Sequence, residues 1–539
     1  MAPTPLETRS RDLVRLADGR WDVVVVGGGI TGVGILLDAV SRGLSAALVE
    51  ADDIGAGTSS RSSRLIHGGI RYLEQFQLTL VREALAERSR LLELAPHLVR
   101  LEPLVFPLYG PPAVTRLFYG AGVAIYDLLG SARRAGPARH LGRGGALELA
   151  PPLRRDRLRG AIVYHDAVED DARYTLAVAR TAMERGALAV TRVRAEGPLL
   201  DGDRIGGIRA RDLLGDTTFE VRAGHVIDAT GVWAARADGP FGGATLVPSR
   251  GAHLVVPRER IPVRHGMTLR VPGKVAFVVP WPDFWIIGTT DVPDDGPPDR
   301  PAASAGEVRF LLDIVNASLD VDLTASDVVG TYAGLRPLVG EAKGGSTVTV
   351  SREHRVQVEP SGLVRIGGGK YTTYRLMARD AVDAALGDGR RARPSRTAEL
   401  PLRGAAATND LASLGRRLAV EAGLPEATTA RLVGRHGMEA AAIVDLGRER
   451  GLLSPLVPGR PFLEAEVVWA AREELALSLD DLLARRLRLA MELPDRGAAI
   501  AGRAAALLGG ELGWDAARQA REVERYLEGA RAEYDVPAV

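Results

Sequence analysis

The chain contains no cysteine among its 539 residues. It therefore forms no disulfide, no thiolate-held iron–sulfur cluster and no redox dithiol, so any electrons that it handles must reside on a bound organic cofactor. Zinc-finger spacing is also impossible without cysteine, and we predict no metal site. Lysine is nearly absent: arginine supplies almost all of the positive charge, and the lysines are Lys274, Lys343 and Lys370.

A large excess of charge of one sign is missing as well. The net charge is +1, which gives no general electrostatic reason to bind nucleic acid, so we predict no nucleic-acid partner. No run reaches the roughly 18 to 20 apolar residues that cross a bilayer. The N-terminus lacks the apolar core of a signal peptide, and we therefore predict a cytoplasmic protein.

The first clear pattern, over residues 21–50, is a strand, a glycine turn, a helix and a second strand. The β-branched run at 23–26 is followed by Gly27, Gly29 and Gly32 in GxGxxG spacing. Gly27 permits the tight turn, Gly29 lets backbone N–H groups approach a pyrophosphate, and Gly32 allows the helix to pack closely. This spacing predicts a dinucleotide-binding βαβ unit.

The second strand of this unit supports the same interpretation. It spans residues 46–49 and ends in Glu50. A carboxylate at this place can accept hydrogen bonds from the ribose hydroxyls of an adenosine, and it disfavours a 2′-phosphate. Strand, glycines, helix, second strand and acid together are more specific than the glycine spacing alone.

Further along the chain, polar side chains are concentrated in residues 58–73, which read TSSRSSRLIHGGIRYL. Helical spacing follows over residues 75–94. A second helix is predicted over residues 172–186, with the acids at 169–171 as capping residues. Residues 225–231, HVIDATG, end a strand at a glycine that suits a backbone approach to the same dinucleotide.

The length favours several domains, and the pattern of strands suggests where they lie. Residues 244–360 are rich in alternating β-formers, and residues 363–386 return to a strand, glycines and a helix. The predicted fold class is α/β and α+β: an interrupted Rossmann-like dinucleotide-binding domain, an antiparallel β-rich substrate domain and a C-terminal all-helical domain. The predicted boundaries are 1–21 for an N-terminal extension, about 22–110, 160–243 and 361–396 for the dinucleotide-binding domain, about 111–159 and 244–360 for the substrate domain, and 397–539 for the helical domain.

A basic stretch at residues 131–160 carries eight arginines against Glu148 and Asp156. Such an excess of positive charge can dock on an anionic lipid surface. A solvated loop in an arginine-rich protein explains the same residues. Both interpretations stay open at this point.

Seven motifs occur in order over residues 22–380: GGGITGVG, TSSRSSRLIHGGIRYLE, VEDDAR, DATGVW, IIGTTDV, TYAGLRPL and GGGKYTTYR. With REELALSLDDLLARR near the C-terminus, they resemble the FAD-dependent glycerol-3-phosphate dehydrogenases of the glycine/D-amino-acid oxidase-like flavoproteins. The resemblance implies non-covalent FAD, oxidation of sn-glycerol 3-phosphate to dihydroxyacetone phosphate, and a membrane quinone as electron acceptor. It also implies a peripheral position on the inner face of the cell membrane and a homodimer.

Hydride transfer from a secondary alcohol to a flavin requires a base that takes the hydroxyl proton. His67 is the first candidate, because the family places this histidine at the active site. Gly68 and Gly69 beside it have no side chains, which would leave room for the isoalloxazine ring. His253, on a strand of the predicted substrate domain, is the alternative base.

The phosphate of the substrate requires cationic partners that replace its water. Motif position favours Arg71, Arg336 and Arg375, and Tyr72 would also face the substrate. Lys370 is a further candidate, because a compact ammonium fits beside a flavin carbonyl or a substrate oxygen where a planar guanidinium would clash.

The remaining motif residues are assigned to FAD through their hydroxyl groups, their backbone N–H groups or their small size. They are Gly27, Gly29, Gly32, Glu50, Thr58, Ser59, Ser60, Gly68, Gly231, Gly369, Thr372 and Thr373. Thr372 and Thr373 would donate to the flavin pyrimidine at the N-terminal end of their helix, which favours negative charge on the reduced ring.

Two other functions fit the same motifs. One is an oxidase of the same architecture that passes electrons to oxygen and produces hydrogen peroxide, although the sequence lacks the long extra loop associated with such oxidases. The other is a flavin-binding protein with a structural or regulatory role. Arg250 stands where the family commonly has lysine, so we assign it no catalytic role, and a hydrogen-bonded turn is enough to explain Thr289, Thr290 and Asp291.

Overall fold

A computed structural model describes residues 3–69, 78–110, 126, 136–271, 274–294, 296–340, 353–387 and 393–539. Within these residues the chain forms two β-sheets with covering helices and a C-terminal helical segment, residues 408–534. The helices, numbered in chain order, are α1 Pro5–Asp18, α2 Ile30–Ser41, α3 Leu78–Leu94, α4 Arg143–Leu149, α5 Asp171–Glu184, α6 Ala305–Ser318, α7 Tyr374–Leu386, α8 Thr408–Ala422, α9 Glu426–His436, α10 Ala440–Arg450, α11 Ala465–Glu473, α12 Leu489–Glu492, α13 Ala498–Leu512 and α14 Ala516–Tyr534.

In the described part of the chain, the first sheet has eight strands and a parallel centre. Its strands are β1 Arg20–Val26, β2 Ala46–Glu50, β7 Leu188–Thr191, β8 Val193–Asp201, β9 Arg204–Asp212, β10 Thr217–Asp228, β17 His354–Val358 and β18 Val364–Gly368. Strand β1 lies between β2 and β10, and both pairings are parallel. This arrangement confirms the predicted Rossmann-like unit.

Strand β1 is buried on both faces, as its run of valines predicts. Val23 and Val25 pack in one core with α2, α5 and α7, whereas Val24 and Val26 pack in another with α1 and the β8–β9 hairpin. Helix α1 was not predicted, although its first turn carries a readable signal. Thr4 and Glu7 form a capping box there, with Pro5 as the first helical residue.

The second sheet, as far as the residues are described, has ten strands and is mostly antiparallel. Its strands are β3 Leu65–Ile66, β4 Val99–Tyr109, β5 Arg139–Gly142, β6 Leu158–Glu169, β11 Leu246–Pro257, β12 Gly266–Val271, β13 Lys274–Trp281, β14 Phe284–Gly288, β15 Val292–Pro293 and β16 Gly330–Val339. One face packs against α6, and the other packs against the C-terminal helices α13 and α14.

Sheet membership does not follow the predicted domain boundaries everywhere. Strands β4 and β6 pair with each other in the second sheet, although the boundaries group most of both with the FAD-binding segments. Strand β17 pairs with β18 in the first sheet, although it was grouped with the substrate domain. Strand β3, within the same predicted segment as β4, also belongs to the second sheet. Strand pairing is a long-range property, which explains why local pattern did not assign these strands to the correct sheet.

The acids before α5 have three different roles, which corrects their common assignment as caps. The side chain of Asp170 accepts the backbone N–H of Arg173 and caps the helix. Glu169 is buried at the end of β6, and Asp171 is a buried partner of Arg64. Asp170 is therefore the N-cap residue, and the side chain of Asp171 also accepts a first-turn N–H, that of Ala172.

The C-terminal segment is helical, as predicted, and it has two packing environments. Helices α8 to α11 surround a core of their own, whereas α13 and α14 share a core with the second sheet. Between them, residues Asp480–Arg486 form a π-helix. None of the helices in the described part of the chain combines the length and hydrophobicity that a bilayer span requires.

Candidate active site

A cavity of about 1030 Å³ lies where the two sheets approach each other. The carboxyl ends of β1, β2, β10 and β18 line it from the first sheet, and β11 and β16 line it from the second. Ligands of open α/β sheets bind at the carboxyl ends of the strands. The volume is at the upper limit of ordinary small-molecule pockets, about 300 to 1000 Å³, and suits a ligand as large as a dinucleotide.

The turn after β1 contributes backbone to the cavity wall. Gly27 has a φ of 109°, and a Cβ there would lie 2.6 Å from the carbonyl oxygen of Ala229. A Cβ at Gly32 would overlap the carbonyl oxygen of Gly27, so the first turn of α2 packs directly on the glycine turn. Gly29 precedes α2 without a side-chain cap. The positive end of α2 therefore faces the cavity through backbone.

Two side chains hold this turn. The hydroxyl of Ser59 accepts the backbone N–H of Ile30 at 2.8 Å. Glu50, at the end of β2, accepts the N–H of Gly28 at 2.6 Å and that of Asp52 at 2.7 Å. Burial raises the pKa of Glu50 to about 7, although the hydrogen bond from Gly28 opposes this shift.

Two glycines approach the cavity from other strands of the first sheet. Gly231, after β10, has a φ of 62°, and a Cβ there would meet no protein atom within 4 Å. Gly369, after β18, has a φ of 82°. Lys370 and Thr372 follow it on the cavity wall. The open space beside Gly231 is what a closely approaching ligand requires.

The second sheet presents side chains to the same cavity. Register places His253 of β11 opposite Tyr332 of β16, and Arg336 lies four residues further along β16. The opposed glycines Gly251 and Gly334 separate them. A Cβ at Gly251 would overlap the Arg336 guanidinium, so this group lies over the glycine.

Arg336 is oriented by the turn after β14. Its guanidinium donates to the carbonyl of Thr290 at 3.2 Å and to the hydroxyl of Thr289 at 3.0 Å, with the Asp291 carboxylate 3.8 Å away. The hydrogen-bonded turn that we predicted at Thr289, Thr290 and Asp291 therefore orients the Arg336 guanidinium. Arg250 does not line the cavity. It forms ion pairs elsewhere, one of them with Asp294 at 2.6 Å.

His253 is 2% exposed and stacks on the ring of Tyr332 at a centroid distance of 4.6 Å. Its Nε2 lies 2.8 Å from the hydroxyl of Ser63. Burial lowers the pKa of His253 well below its usual value, and the charges of Arg336 and Arg64 lower it further. At neutral pH this imidazole is therefore uncharged.

His67 follows β3 and also lines the cavity, with its ring 6.1 Å from that of Phe277. The structure thus brings both candidate bases to one cavity. Arg71 and Tyr72, predicted to bind substrate, lie outside the described residues.

Arg375 requires a correction. It lies in α7, away from the cavity wall, and its guanidinium binds Glu87 of α3 at 2.7 and 2.9 Å. Arg375 is 5% exposed, and Thr397 accepts a further hydrogen bond from it. A guanidinium buried in this pair has no contact with a cavity ligand, so we withdraw its substrate-binding role.

Gly68 requires a correction of its predicted role. A Cβ there would lie 2.6 Å from the side chains of Leu85 and Tyr126, and its N–H donates to the Tyr126 hydroxyl at 2.9 Å. The space beside Gly68 is therefore filled by protein. Ser60 and Thr373 also lie off the cavity wall, and the hydroxyl of Thr373 donates to the Lys370 carbonyl.

Thr58 lies on the cavity wall as predicted, but its hydroxyl proton is engaged by protein. It donates to the carbonyl of Leu335 on β16 at 2.5 Å. The cavity residues that were not singled out from the sequence include Ser63, Arg61 and Trp233. All three fall inside quoted motifs, but neither motif distinguishes the side chain that faces the cavity from its neighbours.

Comparison with known proteins agrees with this geometry. Residues 22–375 match the model of the FAD-dependent oxidoreductase family, and residues 395–519 match the C-terminal domain of alpha-glycerophosphate oxidase. The fold and the cavity thus define an FAD-dependent oxidoreductase, and FAD is its cofactor.

Similar proteins with established names identify the family to which the chain belongs within this class of oxidoreductases. Glycerol-3-phosphate dehydrogenase 2 of Mycobacterium tuberculosis is 44% identical over 96% of this chain and 89% of its own length. The mitochondrial glycerol-3-phosphate dehydrogenase of Homo sapiens is 37% identical over 96% of this chain and 74% of its own. The chain belongs to the glycerol-3-phosphate dehydrogenase family.

A solved structure extends the likeness to the whole fold. The glycerol-3-phosphate dehydrogenase of Bacillus halodurans, solved as a complex with FAD, superposes with a TM-score of 0.80 at 26% sequence identity. The match covers 98% of each chain. The C-terminal helices are therefore part of the shared architecture.

Proposed function

We propose that this protein oxidises sn-glycerol 3-phosphate to dihydroxyacetone phosphate with FAD. The observation that carries the proposal is one cavity that joins a dinucleotide turn to His67, His253 and cationic side chains that include Arg336 and Lys370. The names of the relatives supply the substrate, and the cavity supplies the groups that an anionic alcohol requires. When bound, FAD accepts the hydride from the substrate carbon.

The cofactor is assigned to the backbone part of the wall. The glycine turn and the N-terminus of α2 suit the pyrophosphate, and Glu50 suits the ribose hydroxyls. Gly231 leaves open space for a ligand, and Gly369 and Thr372 bring the segment after β18 to the same cavity. These residues offer the backbone N–H groups and the open space that a flavin dinucleotide requires.

The substrate phosphate is assigned to Arg336 and Lys370. The turn after β14, through Thr289 and Thr290, holds the Arg336 guanidinium in one orientation, which reduces the entropy that is lost when a phosphate binds. Lys370 enters the cavity beside two glycines, where its smaller charged group fits. Arg71 and Tyr72 remain predicted partners of the same phosphate.

We assign to His67 the role of the general base that takes the proton of the substrate hydroxyl. A general base works best when its pKa is near the working pH, and burial and nearby cations make the charged form of His253 unfavourable. Neutral His253 has a different role: it holds the Ser63 hydroxyl at 2.8 Å on the cavity wall. There the hydroxyl can hydrogen-bond to the substrate and orient it.

The decisive measurement is anaerobic reduction of the bound flavin. Addition of glycerol 3-phosphate to the yellow holoenzyme should bleach its visible absorbance, and dihydroxyacetone phosphate should form in equal amount. Glycerol without phosphate serves as the control, because it lacks the dianion that the cations bind. A flavin that stays oxidised with saturating glycerol 3-phosphate would leave a structural or regulatory flavoprotein as the better interpretation.

We further propose a membrane quinone as the electron acceptor. The relatives at 37 to 44% identity are named as dehydrogenases, which favours this acceptor over oxygen. Parallel assays of quinone-analogue reduction and oxygen consumption distinguish the two. Stoichiometric hydrogen peroxide with no quinone reduction would establish the oxidase instead.

A peripheral position on the inner face of the cell membrane is part of the same proposal. Six arginines of the basic stretch are exposed: Arg139, Arg143, Arg154, Arg155, Arg157 and Arg159. Their charge suits an anionic lipid surface. Co-sedimentation with anionic vesicles that weakens with salt, and that neutral vesicles do not support, tests this contact. Light scattering of the purified protein tests the homodimer, which stays a prediction.

A further inference from the structure

The loop that follows β2, residues 51–61, forms one wall of the FAD cavity. Ala51, Asp52 and residues 56–59 line it. The loop also holds the dinucleotide turn, because Gly55 donates to the carbonyl of Gly28 at 2.9 Å. A shift of this cofactor loop would therefore move the groups that contact FAD.

The C-terminal segment contacts the cofactor loop at Asp53, on the side of the loop away from the cavity. Asp53 is 1% exposed. Its carboxylate accepts a hydrogen bond from Arg485 at 2.6 Å, and both of its oxygens accept hydrogen bonds from Arg486 at 2.7 Å. Both arginines belong to the π-helix, a local irregularity that frequently occurs at functional sites.

Two further contacts hold the far end of the loop. Arg488 donates to the carbonyl of Ser60 at 3.0 Å. Glu533 of α14 binds the Arg61 guanidinium at 2.7 Å, and this guanidinium also donates to the loop carbonyls at Ala56 and Gly57. Arg61 lines the cavity itself. Four C-terminal side chains thus converge on eleven residues of loop.

These contacts are costly to bury, which suggests a role beyond stability. Arg61 and Glu533 are 6% and 7% exposed, so both charges are largely removed from water. Well-packed apolar residues often stabilise a protein as well as a buried ion pair does, or better. An ion pair does, however, fix the direction and register of the loop that it holds.

We propose that the C-terminal helical segment is a working part of the FAD site: Arg485, Arg486, Arg488 and Glu533 position the cofactor loop and slow the release of FAD. Glu533 and the arginines are positioning residues, since they act through the loop. The proposal depends on FAD binding alone, so it does not depend on which substrate the enzyme oxidises.

The test compares two Glu→Gln variants in the holoenzyme. Glu533→Gln removes the charge that holds Arg61. Glu439→Gln is the matched control, because Glu439 also joins the C-terminal segment to the rest of the protein, through Arg180 of α5 at 2.6 and 2.9 Å, without touching the loop. FAD release is followed by the recovery of flavin fluorescence after dilution, and thermal unfolding of each variant reports its stability.

We expect Glu533→Gln to release FAD about 10-fold faster than the wild type, within the usual range of coupling between sites, and Glu439→Gln to release it at the wild-type rate. Arg485→Met provides an independent variant at the other end of the loop and should also accelerate release. Equal acceleration in the Glu439 control would show general loosening and overturn the proposal. Wild-type release rates in both the Glu533 and the Arg485 variants would overturn it as well.

Discussion

Two regions of the cavity wall differ in the kind of groups that they offer to a ligand. The dinucleotide turn presents backbone, glycines and a helix terminus from residues 27–32, and a single acid, Glu50, supports it. The β11–β16 region presents charged and aromatic side chains from strands that lie about 80 residues apart in the chain. In the first region the absence of side chains creates the site, whereas in the second their chemical nature does.

This difference predicts which property a substitution in each region should impair. A substitution in the turn adds atoms where backbone or ligand must lie, so cofactor affinity or stability should change. A substitution in the strand region removes a charge or a proton acceptor, so substrate affinity or rate should change while FAD stays bound. The following experiments test this separation, from the largest expected effect to the smallest.

Replacement of His67 by glutamine should slow flavin reduction by about 10²- to 10⁴-fold, the usual contribution of a general base. Stopped-flow reduction with saturating glycerol 3-phosphate measures the rate, and the visible spectrum measures FAD content, which should not change. His253→Gln should slow the reaction less. The reverse order of the two variants would assign the proton to His253, and loss of FAD from His67→Gln would make it a cofactor residue.

Replacement of Arg336 by alanine should raise the substrate concentration required by an amount equal to about 2 to 5 kcal/mol, the cost of removing one partner of a buried charge pair. Arg250→Ala is the control, since Arg250 lies on the neighbouring strand but off the cavity wall. Steady-state kinetics measure both variants. An unchanged KM in Arg336→Ala would remove this residue from the substrate site.

Substitutions at two glycines test whether the missing side chain leaves space for the ligand or for neighbouring protein atoms. Gly231→Ala should weaken FAD binding, because its Cβ would enter open cavity space, with an added strain of about 1 to 3 kcal/mol at positive φ. Gly68→Ala should lower the unfolding temperature by overpacking against Leu85 and Tyr126, at a cost of about 1 to 3 kcal/mol, with little change in FAD affinity. FAD titration and thermal unfolding separate the two, and identical effects would contradict the distinction.

The smallest expected effect is the pH dependence of FAD binding through Glu50. Its pKa of about 7 means that the carboxyl loses its proton as the pH rises through neutrality. The carboxylate accepts ribose hydroxyls more strongly than the acid does, so FAD affinity should rise over this range by about fivefold, the difference between a charged and a neutral hydrogen bond. Titrations at pH 6 and pH 8 measure it (about one unit on either side of that pKa), and Glu50→Gln should remove the dependence.

Much of the first region was readable from local sequence. The glycine spacing, the β-branched strand and the terminal acid all occur within about thirty residues, and their geometry follows from backbone rules. Helix α1 also had a local signal in its capping box, which we did not use. Such features are predictable because the interacting residues are neighbours along the chain.

The second region was predictable only where motif resemblance identified individual residues. Arg336 and His253 lie on the cavity as predicted, but Arg375, chosen by the same reasoning, is held by Glu87 of a distant helix. Gly68 fits against Tyr126 rather than against a ligand. Nothing near these residues in the sequence indicates which distant side chain meets them.

The sequence by itself determined the cofactor class, the parallel βαβ unit and the helical C-terminus, because short-range periodicity and glycine placement specify them. Tertiary structure decided which of the candidate arginines in the described residues lines the cavity, Arg336, and which is bound to an acid, Arg375. It also decided that the C-terminal segment grips the cofactor loop. The physical reason is that a buried guanidinium takes the partner that folding brings within about 3 Å, and chain position does not encode that encounter.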